Sequence, residues 1–166
     1  MSGDTNITRV FIIRHGEAEA SFSNDKLRQL TSRGRQQVSQ AGRKIASFLT
    51  HTASIDLALV SPYVRAQQTF DILSIGLTVR EKQNSDAITP MSTAGLAADL
   101  LVGIADTSKD AQNILVVSHM PLVSFLTEAL SNNDSPPIFS TSAFAVIDIK
   151  NGSSHGKLID LVQNHE

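Results

Sequence analysis

The chain has 166 residues, of which 41% are hydrophobic and 18% are charged, a composition typical of one globular domain. The formal net charge of −2 gives no basic surplus that would favour nucleic acid or an anionic membrane as a partner. Because the chain has no cysteine, disulfides, thiolate metal sites and cysteine nucleophiles are excluded, which suits a reducing compartment.

Residues 1–6 are polar and do not lead from a basic stretch into an apolar one, so we expect no secretory signal. No apolar run approaches the length that a membrane-spanning helix needs. We therefore expect a cytoplasmic, monomeric protein without membrane contact, in which residues 1–166 form a single domain.

The first half of the chain alternates between short apolar runs and longer segments of helical period. A β-branched run predicts a strand at residues 9–13. Thr31 is a suitable N-cap for the amphipathic helix that follows. The apolar face of that helix carries Val38, Ala41, Ile45, Phe48 and Leu49. A second strand is predicted at residues 57–60, and we expect Ser61 and Pro62 to cap and open a helix reaching about residue 73.

The second half continues this alternation. Residues 78–80 predict a short strand, and residues 93–104 predict a helix. We expect the apolar face of this helix to consist of Leu96, Leu100, Leu101 and Ile104. The apolar run at residues 114–117 predicts another strand, and a helix is predicted from Pro121 to about residue 130.

The end of the chain predicts two more strands, at residues 143–149 and 157–162. They flank Asn151-Gly152, a pair that favours a hairpin turn. Strands that alternate with helices and are continuously apolar indicate an α/β fold. We expect a mostly parallel central sheet with helices on both faces, which an antiparallel edge could extend.

Basic side chains and imidazoles follow three of the predicted strands, near the point where each strand ends. Arg14 and His15 follow the first strand, Arg65 lies just beyond the second, and His119 follows the strand at residues 114–117. Ligands of open α/β sheets bind beyond the carboxyl ends of the strands, so we expect the four side chains to converge. Each of them alone could have a purely structural role, but their corresponding positions favour one shared site.

The chemistry of such a cluster points to phosphoryl transfer. Guanidinium groups match the oxygens of a phosphoryl group, and a neutral histidine can attack phosphorus. We expect the two cations to lower the pKa of His15, so that its ring is neutral at pH 7. Met120 precedes a predicted helix start, where free backbone N–H groups favour an anion. No residue pattern implies a metal or an organic cofactor.

The motifs at these positions resemble those of the histidine phosphatase superfamily, which includes phosphoglycerate mutases and acid phosphatases. The matching segments are Arg14-His15-Gly16, Leu30-Thr31-x-x-Gly34-x-x-Gln37, residues 61–69 and residues 118–123. Within the superfamily, residues 14–18, 119–123 and 136–143 are most similar to the small bacterial phosphohistidine phosphatases. The similarity spans nearly the whole chain.

This resemblance implies a phosphoglycerate mutase-like fold and a role for each residue. His15 would accept the phosphoryl group, Arg14 and Arg65 would clamp its oxygens, and His119 would be a further donor. The resemblance also implies action on phosphohistidine in histidine-phosphotransfer domains and related phosphorelay proteins. Because the predicted elements use almost all of the chain, we expect a minimal form without a large lid, open to a side chain of another protein.

The acid that many superfamily members use to protonate an alkoxide leaving group has no clear counterpart. Where the family has Glu we find Ala87, so Asp86 and Glu17 are the candidates, and both could be ordinary surface residues. A weak acid position favours phosphohistidine over phosphate esters, because an imidazole leaves more readily than an alkoxide.

Two rival functions remain at this stage. One is a small-molecule phosphomonoester phosphatase or mutase of the same superfamily, and the other is a non-catalytic adaptor that binds phosphohistidine. A basic run of Lys26, Arg28, Arg33 and Arg35 is expected to be solvated surface, unless it receives an acidic protein partner.

Overall fold

The computed structural model of the protein describes residues 7–20, 23–49, 54–107 and 112–164. Residues 1–6, on which the expectation about a secretory signal rests, lie outside these ranges. The strands in chain order are β1 (Ile7–Arg14), β2 (Ser54–Ile55), β3 (Leu57–Val60), β4 (Thr78–Val79), β5 (Lys82–Asn84), β6 (Asn113–Ser118), β7 (Phe144–Lys150) and β8 (Lys157–Val162). The helices are α1 (Ser32–Phe48), α2 (Val64–Gly76), α3 (Ala94–Thr107) and α4 (Leu122–Ser131).

Six strands form the central sheet in the spatial order β5-β3-β6-β1-β7-β8. The four strands from β5 to β1 are parallel, whereas β7 is antiparallel to β1, and β8 is antiparallel to β7. The predicted α/β fold with a mostly parallel sheet is therefore confirmed. The hairpin between β7 and β8 turns at Asn151-Gly152, where Gly152 has a φ of 87°, as the sequence predicted.

The strand register brings the carboxyl ends of β1, β3 and β6 together. Arg14 at the end of β1 is paired with Ser118 at the end of β6, and Val60 at the end of β3 is paired with Val117. The residues that follow these strands therefore leave the sheet side by side. This register places His15, Ser61 and His119 at the same edge.

Helices cover both faces of the sheet, because successive side chains of a strand point to opposite sides. Val10 and Ile12 pack in the core that includes α3 and α4, whereas Phe11 and Ile13 pack in the core that includes α1 and α2. Each face thus has a separate apolar core around the central strands. None of the helices in the described ranges is both long and apolar enough to cross a bilayer.

The start of α1 agrees with the sequence, whereas the start of α2 does not. Thr31 caps α1 by accepting a hydrogen bond from the backbone N–H of Gly34 at 2.9 Å. Helix α2 begins at Val64, after Tyr63, so Pro62 does not occupy its first position. Ser61 does not cap α2: its hydroxyl accepts from the N–H of Tyr63 at 3.3 Å, ahead of the helix, and also contacts the ring of His119.

The short strands next to α2 also differ from the prediction. The strand predicted at residues 78–80 is β4, and it pairs with β2 in a separate two-stranded sheet. One of the two edge strands of the central sheet is β5, which was not predicted. Its three side chains are all exposed, so it carries no apolar pattern by which it could be recognised.

The predicted apolar face of α3 is partly wrong. Ala97, Ala98, Leu101 and Ala105 are its buried residues, while Leu96 and Leu100 are 68% and 38% exposed. The small alanine side chains face the sheet and α4, so the larger leucines on the adjoining stripe point outwards. Side-chain size did not identify the buried face in this helix.

Candidate active site

His15 lies directly after β1, and its backbone is fixed on two sides. Its N–H donates to the carbonyl of Ser118 at 3.1 Å, and its carbonyl accepts from the N–H of Ser142 at 3.0 Å. Nδ1 of the ring lies 2.7 Å from the carbonyl oxygen of Gly16. Because a carbonyl can only accept, Nδ1 carries the proton and Nε2 keeps its lone pair.

The environment of His15 keeps its ring neutral. The side chain is buried, with 7% of the residue exposed. Burial, supplemented by the charges of Arg65 and Arg14, lowers the pKa of His15 to about 3, although the hydrogen bond to the Gly16 carbonyl acts in the opposite direction. The sequence predicted the direction of the shift from the two cations, but burial is the larger cause.

Arg65 on α2 contacts the ring of His15 directly. Its Nε–H donates to Nε2 of His15 at 3.2 Å. One terminal nitrogen donates to the backbone carbonyl of Asp25 at 2.7 Å, and the other donates to Oδ2 of Asp25 at 3.1 Å. The ring of Tyr63 lies 5.0 Å from the guanidinium carbon. Arg65 is only 3% exposed, so these contacts hold its charge in a fixed orientation.

Arg14 at the end of β1 brings a second guanidinium to the site. One of its terminal nitrogens donates to the carbonyl of Phe139 at 2.9 Å. Its Nε is buried and has no hydrogen-bond partner among the described residues. Burial and the nearby charge of Arg65 lower the pKa of Arg14. It remains a cation at neutral pH, because guanidinium groups do not lose their proton in proteins.

His119 directly follows β6 and faces His15, with 5.2 Å between the ring centroids. Nε2 of His119 lies 2.7 Å from the hydroxyl oxygen of Ser61, and the ring of Tyr63 packs edgewise on it at 5.0 Å. Nδ1 is buried without a hydrogen-bond partner among the described residues. Burial and, after it, His15 and Arg65 hold the pKa of His119 well below its usual range.

These four side chains form one largely buried cluster, which we call the pocket, and it is rich in N–H donors. Buried polar groups in proteins nearly always have a partner, and both Nε of Arg14 and Nδ1 of His119 lack one among the described residues. Nδ1 of His119 is an N–H donor when the Ser61 hydroxyl donates to Nε2 of the same ring. An anion with several acceptor oxygens would satisfy these donors and the two guanidinium charges. The described residues contain no group of three or more His, Asp or Glu side chains that could hold a metal ion.

Met120 lies beside the pocket, two residues before α4 begins. Its sulfur accepts a hydrogen bond from the hydroxyl of Ser124 at 3.0 Å, and its side chain packs against the core below α4. The side chain thus has a structural contact of its own, and the predicted contact of its backbone with an anion stays a prediction.

The sequence missed three residues of this site. Ser61 was expected to cap a helix, and Asp25 was not singled out. Arg28 was assigned to a solvated basic run, but its Nε donates to Oδ1 of Asp25 at 2.8 Å. The charge of Arg28 also contributes to the lowered pKa of both histidines. Asp25 and Arg28 reach Arg65 only because the chain folds, so the sequence carried no signal for their place in the site.

Neither candidate acid contacts the histidines. Asp86 opens a short 3₁₀ turn over residues 86–88 and is exposed. Glu17 points towards α1, where Oε2 lies 3.7 Å from Nε of Arg33. No hydrogen bond within the described part of the chain joins either carboxylate to His15 or His119.

Two glycines allow α1 to pack closely against the segment that carries His15. A Cβ on Gly16 would lie 2.6 Å from the carbonyl oxygen of Gly34 and 2.7 Å from Cγ2 of Val38. A Cβ on Gly34 would overlap the carbonyl oxygen of Glu17. Since the φ of Gly16 is not positive, glycine is required there for this close approach and not for a left-handed backbone.

Comparison with known proteins gives a consistent picture. Residues 10–87 match the model of the histidine phosphatase superfamily, branch 1. The phosphohistidine phosphatase SixA of Escherichia coli (strain K12) is 32% identical over 145 residues, which cover 85% of each chain. The SixA homolog of Haemophilus influenzae is 35% identical over 142 residues, covering 82% of this chain and 85% of that one.

A solved structure shares the fold over nearly its full length. The structure of the protein histidine phosphatase SixA complexed with tungstate superimposes with a TM-score of 0.85. It is 29% identical and covers 95% of this chain and 97% of its own. The resemblance seen in the sequence motifs is therefore confirmed.

Proposed function

This chain belongs to the histidine phosphatase superfamily and is a phosphatase, and from that premise we propose that it hydrolyses protein phosphohistidine through a covalent intermediate on His15. The observation that carries the proposal is the state of the His15 ring. Its Nδ1–H is held by the Gly16 carbonyl, and the lone pair on Nε2 faces the guanidinium of Arg65. The attacking atom, Nε2 of His15, is therefore already in contact with Arg65, the cation that would bind the phosphoryl oxygens.

In the first step, the Nε2 lone pair of His15 forms a bond to phosphorus while the phosphorus–nitrogen bond of the substrate breaks. The substrate imidazole keeps the electron pair of that bond. It leaves as a neutral ring if its other nitrogen already carries a proton. One phosphoimidazolium is thereby exchanged for another, and no proton needs to be supplied. The Gly16 carbonyl is placed to stabilise the charge that appears on the His15 ring.

In the second step, water adds to phosphorus and the bond to Nε2 breaks. His15 regains its lone pair, and the phosphoryl group leaves as dihydrogen phosphate with both protons of the water. The transition states of such transfers are loose, with charge on the equatorial oxygens. Positioned cations and N–H donors therefore supply most of the rate enhancement.

The other residues of the site donate hydrogen bonds to the equatorial oxygens of the phosphoryl group. When the substrate binds, the Nε–H of Arg65 stops donating to the His15 ring and donates a hydrogen bond to a phosphoryl oxygen instead. Arg14 contributes its unpaired Nε–H, and His119 contributes its Nδ1–H, with the backbone of Met120 next to it. Arg14, Arg65, His119 and Met120 thus form the phosphate-binding set around the nucleophile.

No carboxylate within the described ranges hydrogen-bonds to His15 or His119, and this supports a nitrogen–phosphorus bond as the substrate bond. An alkoxide needs a proton in order to leave, but a protonated imidazole does not. Neither Asp86 nor Glu17 is placed to give one. The partner we propose is a phosphorylated histidine-phosphotransfer domain or related carrier, acted on in the cytoplasm by a single-domain monomer.

The test compares substrates and traps the intermediate. A phosphohistidine-containing phosphotransfer domain labelled with 32P should lose its label to free phosphate, with transient acid-labile label on His15 after rapid quenching. His15→Ala should reduce turnover at least about a thousandfold, because the nucleophile is lost. Small phosphomonoesters should be turned over far more slowly.

The two rival functions predict different outcomes of the same experiment. Faster turnover of small esters would favour a small-molecule phosphatase or mutase. Binding of the labelled domain without any label reaching His15 would favour a non-catalytic adaptor.

A further inference from the structure

Among the described residues outside the pocket, Asp25 makes the most hydrogen bonds to the pocket cations. It opens a 3₁₀ turn, Asp25–Leu27, and one carboxylate oxygen accepts from Arg65 at 3.1 Å while the other accepts from Arg28 at 2.8 Å. Its backbone carbonyl also accepts from Arg65 at 2.7 Å. One residue therefore holds two guanidinium groups next to the His15 ring.

The Asp25 carboxylate thus occupies N–H donors of Arg65 that a bound phosphoryl group would need. The structure gives Arg65 three side-chain hydrogen bonds, and two of them go to Asp25. A phosphoryl group that binds at Nε2 of His15 would compete with the Asp25 carboxylate for the outer N–H groups of Arg65. It would also be repelled by the charge of that carboxylate.

We propose that Asp25 is a positioning residue that competes with the phosphoryl group for Arg65 and so promotes release of product phosphate. It orients the two guanidinium groups while the pocket is free, and it recovers the Arg65 donor when the phosphoryl group has been hydrolysed. This role rests on the proposed function, since it assigns Asp25 to the step after hydrolysis at His15.

Asp25 is unsuited to the alternative role of general acid. Burial acts to raise the pKa of its carboxyl, but the hydrogen bonds from Arg28 and Arg65 outweigh it and hold that pKa below its usual value. The carboxylate is 57% exposed, so solvent can also accept it when Arg65 turns to a phosphoryl oxygen. A group that stays ionised and can move into solvent is suited to competition for cations.

The test measures binding of inorganic phosphate by isothermal titration calorimetry, which does not depend on turnover. Asp25→Asn keeps the shape of the side chain and removes the charge. Its dissociation constant for phosphate should be about five- to twentyfold lower than that of the unaltered protein. Asp160→Asn on β8 is the matched control, because it removes one exposed negative charge from the antiparallel edge of the sheet.

Kinetics separate positioning from a structural role. With a phosphohistidine peptide as substrate, Asp25→Asn should lower KM together with the phosphate dissociation constant, and kcat should fall rather than rise. An unchanged or weaker affinity for phosphate, including no detectable binding by either protein, would overturn the role of Asp25. Failure of the unaltered protein to cleave phosphohistidine would instead reject the proposed function, and tighter phosphate binding by Asp25→Asn would still be measurable.

Discussion

Nε of Arg65 donates a hydrogen bond to Nε2 of His15 at 3.2 Å, so the guanidinium covers the lone pair that attacks phosphorus in the mechanism we propose. Both side chains are buried, at 3% and 7% exposure. Their contact requires a neutral His15 ring, because a protonated Nε2 could not accept.

Replacing Arg65 by lysine should therefore impair catalysis more than binding. Lysine keeps the charge but loses the planar set of donors that reaches His15 and the phosphoryl oxygens together. We expect kcat to fall about a hundredfold or more, measured with a phosphohistidine peptide. Arg43→Lys on the exposed part of α1 should leave kcat unchanged. A loss at Arg65 of less than about threefold would show that a point charge is sufficient.

Ser61 should act on catalysis through His119. Its hydroxyl is the hydrogen-bond partner of Nε2 of His119, so Ser61→Ala removes the hydrogen bond that orients that ring. We expect kcat to fall about tenfold, equivalent to the loss of about 1.4 kcal/mol of transition-state stabilisation. Ser61→Thr, which keeps the hydroxyl, should restore most of the rate. Equal losses in both variants would assign the effect to packing.

The two buried histidines should make stability depend on pH. Their pKa values are lower in the folded protein than the value of 6.5 expected in the unfolded chain, reaching about 3 for His15. Below pH 6.5 the unfolded chain binds more protons, so stability is fully present above pH 6.5 and is lost as the pH falls towards the folded values. Each histidine contributes up to about 1.4 kcal/mol per pH unit in this window.

Urea unfolding at pH 7, 6 and 5 measures this slope. The double variant His15→Gln, His119→Gln should show a much flatter dependence, whereas His155→Gln, an exposed control, should behave as the unaltered protein does. The same slope in all three proteins would contradict the assignment of the pKa shifts to the pocket.

Gly34 should tolerate no side chain. Gly34→Ala would force its Cβ against the carbonyl of Glu17 and push α1 away from the segment of His15. We expect a loss of about 1–3 kcal/mol in the free energy of unfolding, together with lower activity. Gly103→Ala in α3 is the matched control, because its Cβ would meet no atom within 4 Å. That variant should be about 0.5–1 kcal/mol more stable, since alanine favours a helix over glycine.

Asp86 should be dispensable for phosphohistidine. Its carboxylate is exposed and makes no hydrogen bond to either pocket histidine in the described structure, so Asp86→Asn should change kcat by less than about twofold. Stopped-flow release of phosphate from a phosphohistidine peptide gives the comparison. A loss of tenfold or more would identify Asp86 as the proton donor after all.

The sequence predicted those features that depend on local pattern. The strand at residues 57–60 and the cap at Thr31 follow from apolar period and from side-chain chemistry close along the chain. Arg65 and His119 were placed correctly because the ends of parallel strands meet at one edge. These features are fixed by neighbours that the sequence displays directly.

Other features depend on contacts between distant segments. The exposed strand β5 has no apolar side chain to mark it, and the buried face of α3 consists of three alanines and one leucine. Asp25 meets Arg65 across forty positions in the chain, which no spacing rule anticipates. Ser61 was assigned to a cap, its commoner use, but the ring of His119 lies within its reach in the folded protein.

The central position of β1 in the sheet has a consequence for how the protein loses activity. This strand is flanked by β6 and β7, and four of its successive side chains, Val10 to Ile13, are fully buried. Amide hydrogens in such a strand exchange with solvent only when the whole molecule opens, whereas edges and termini open locally. His15, the nucleophile we propose, is thus attached to the region expected to open last. Catalytic competence and global folding should disappear together.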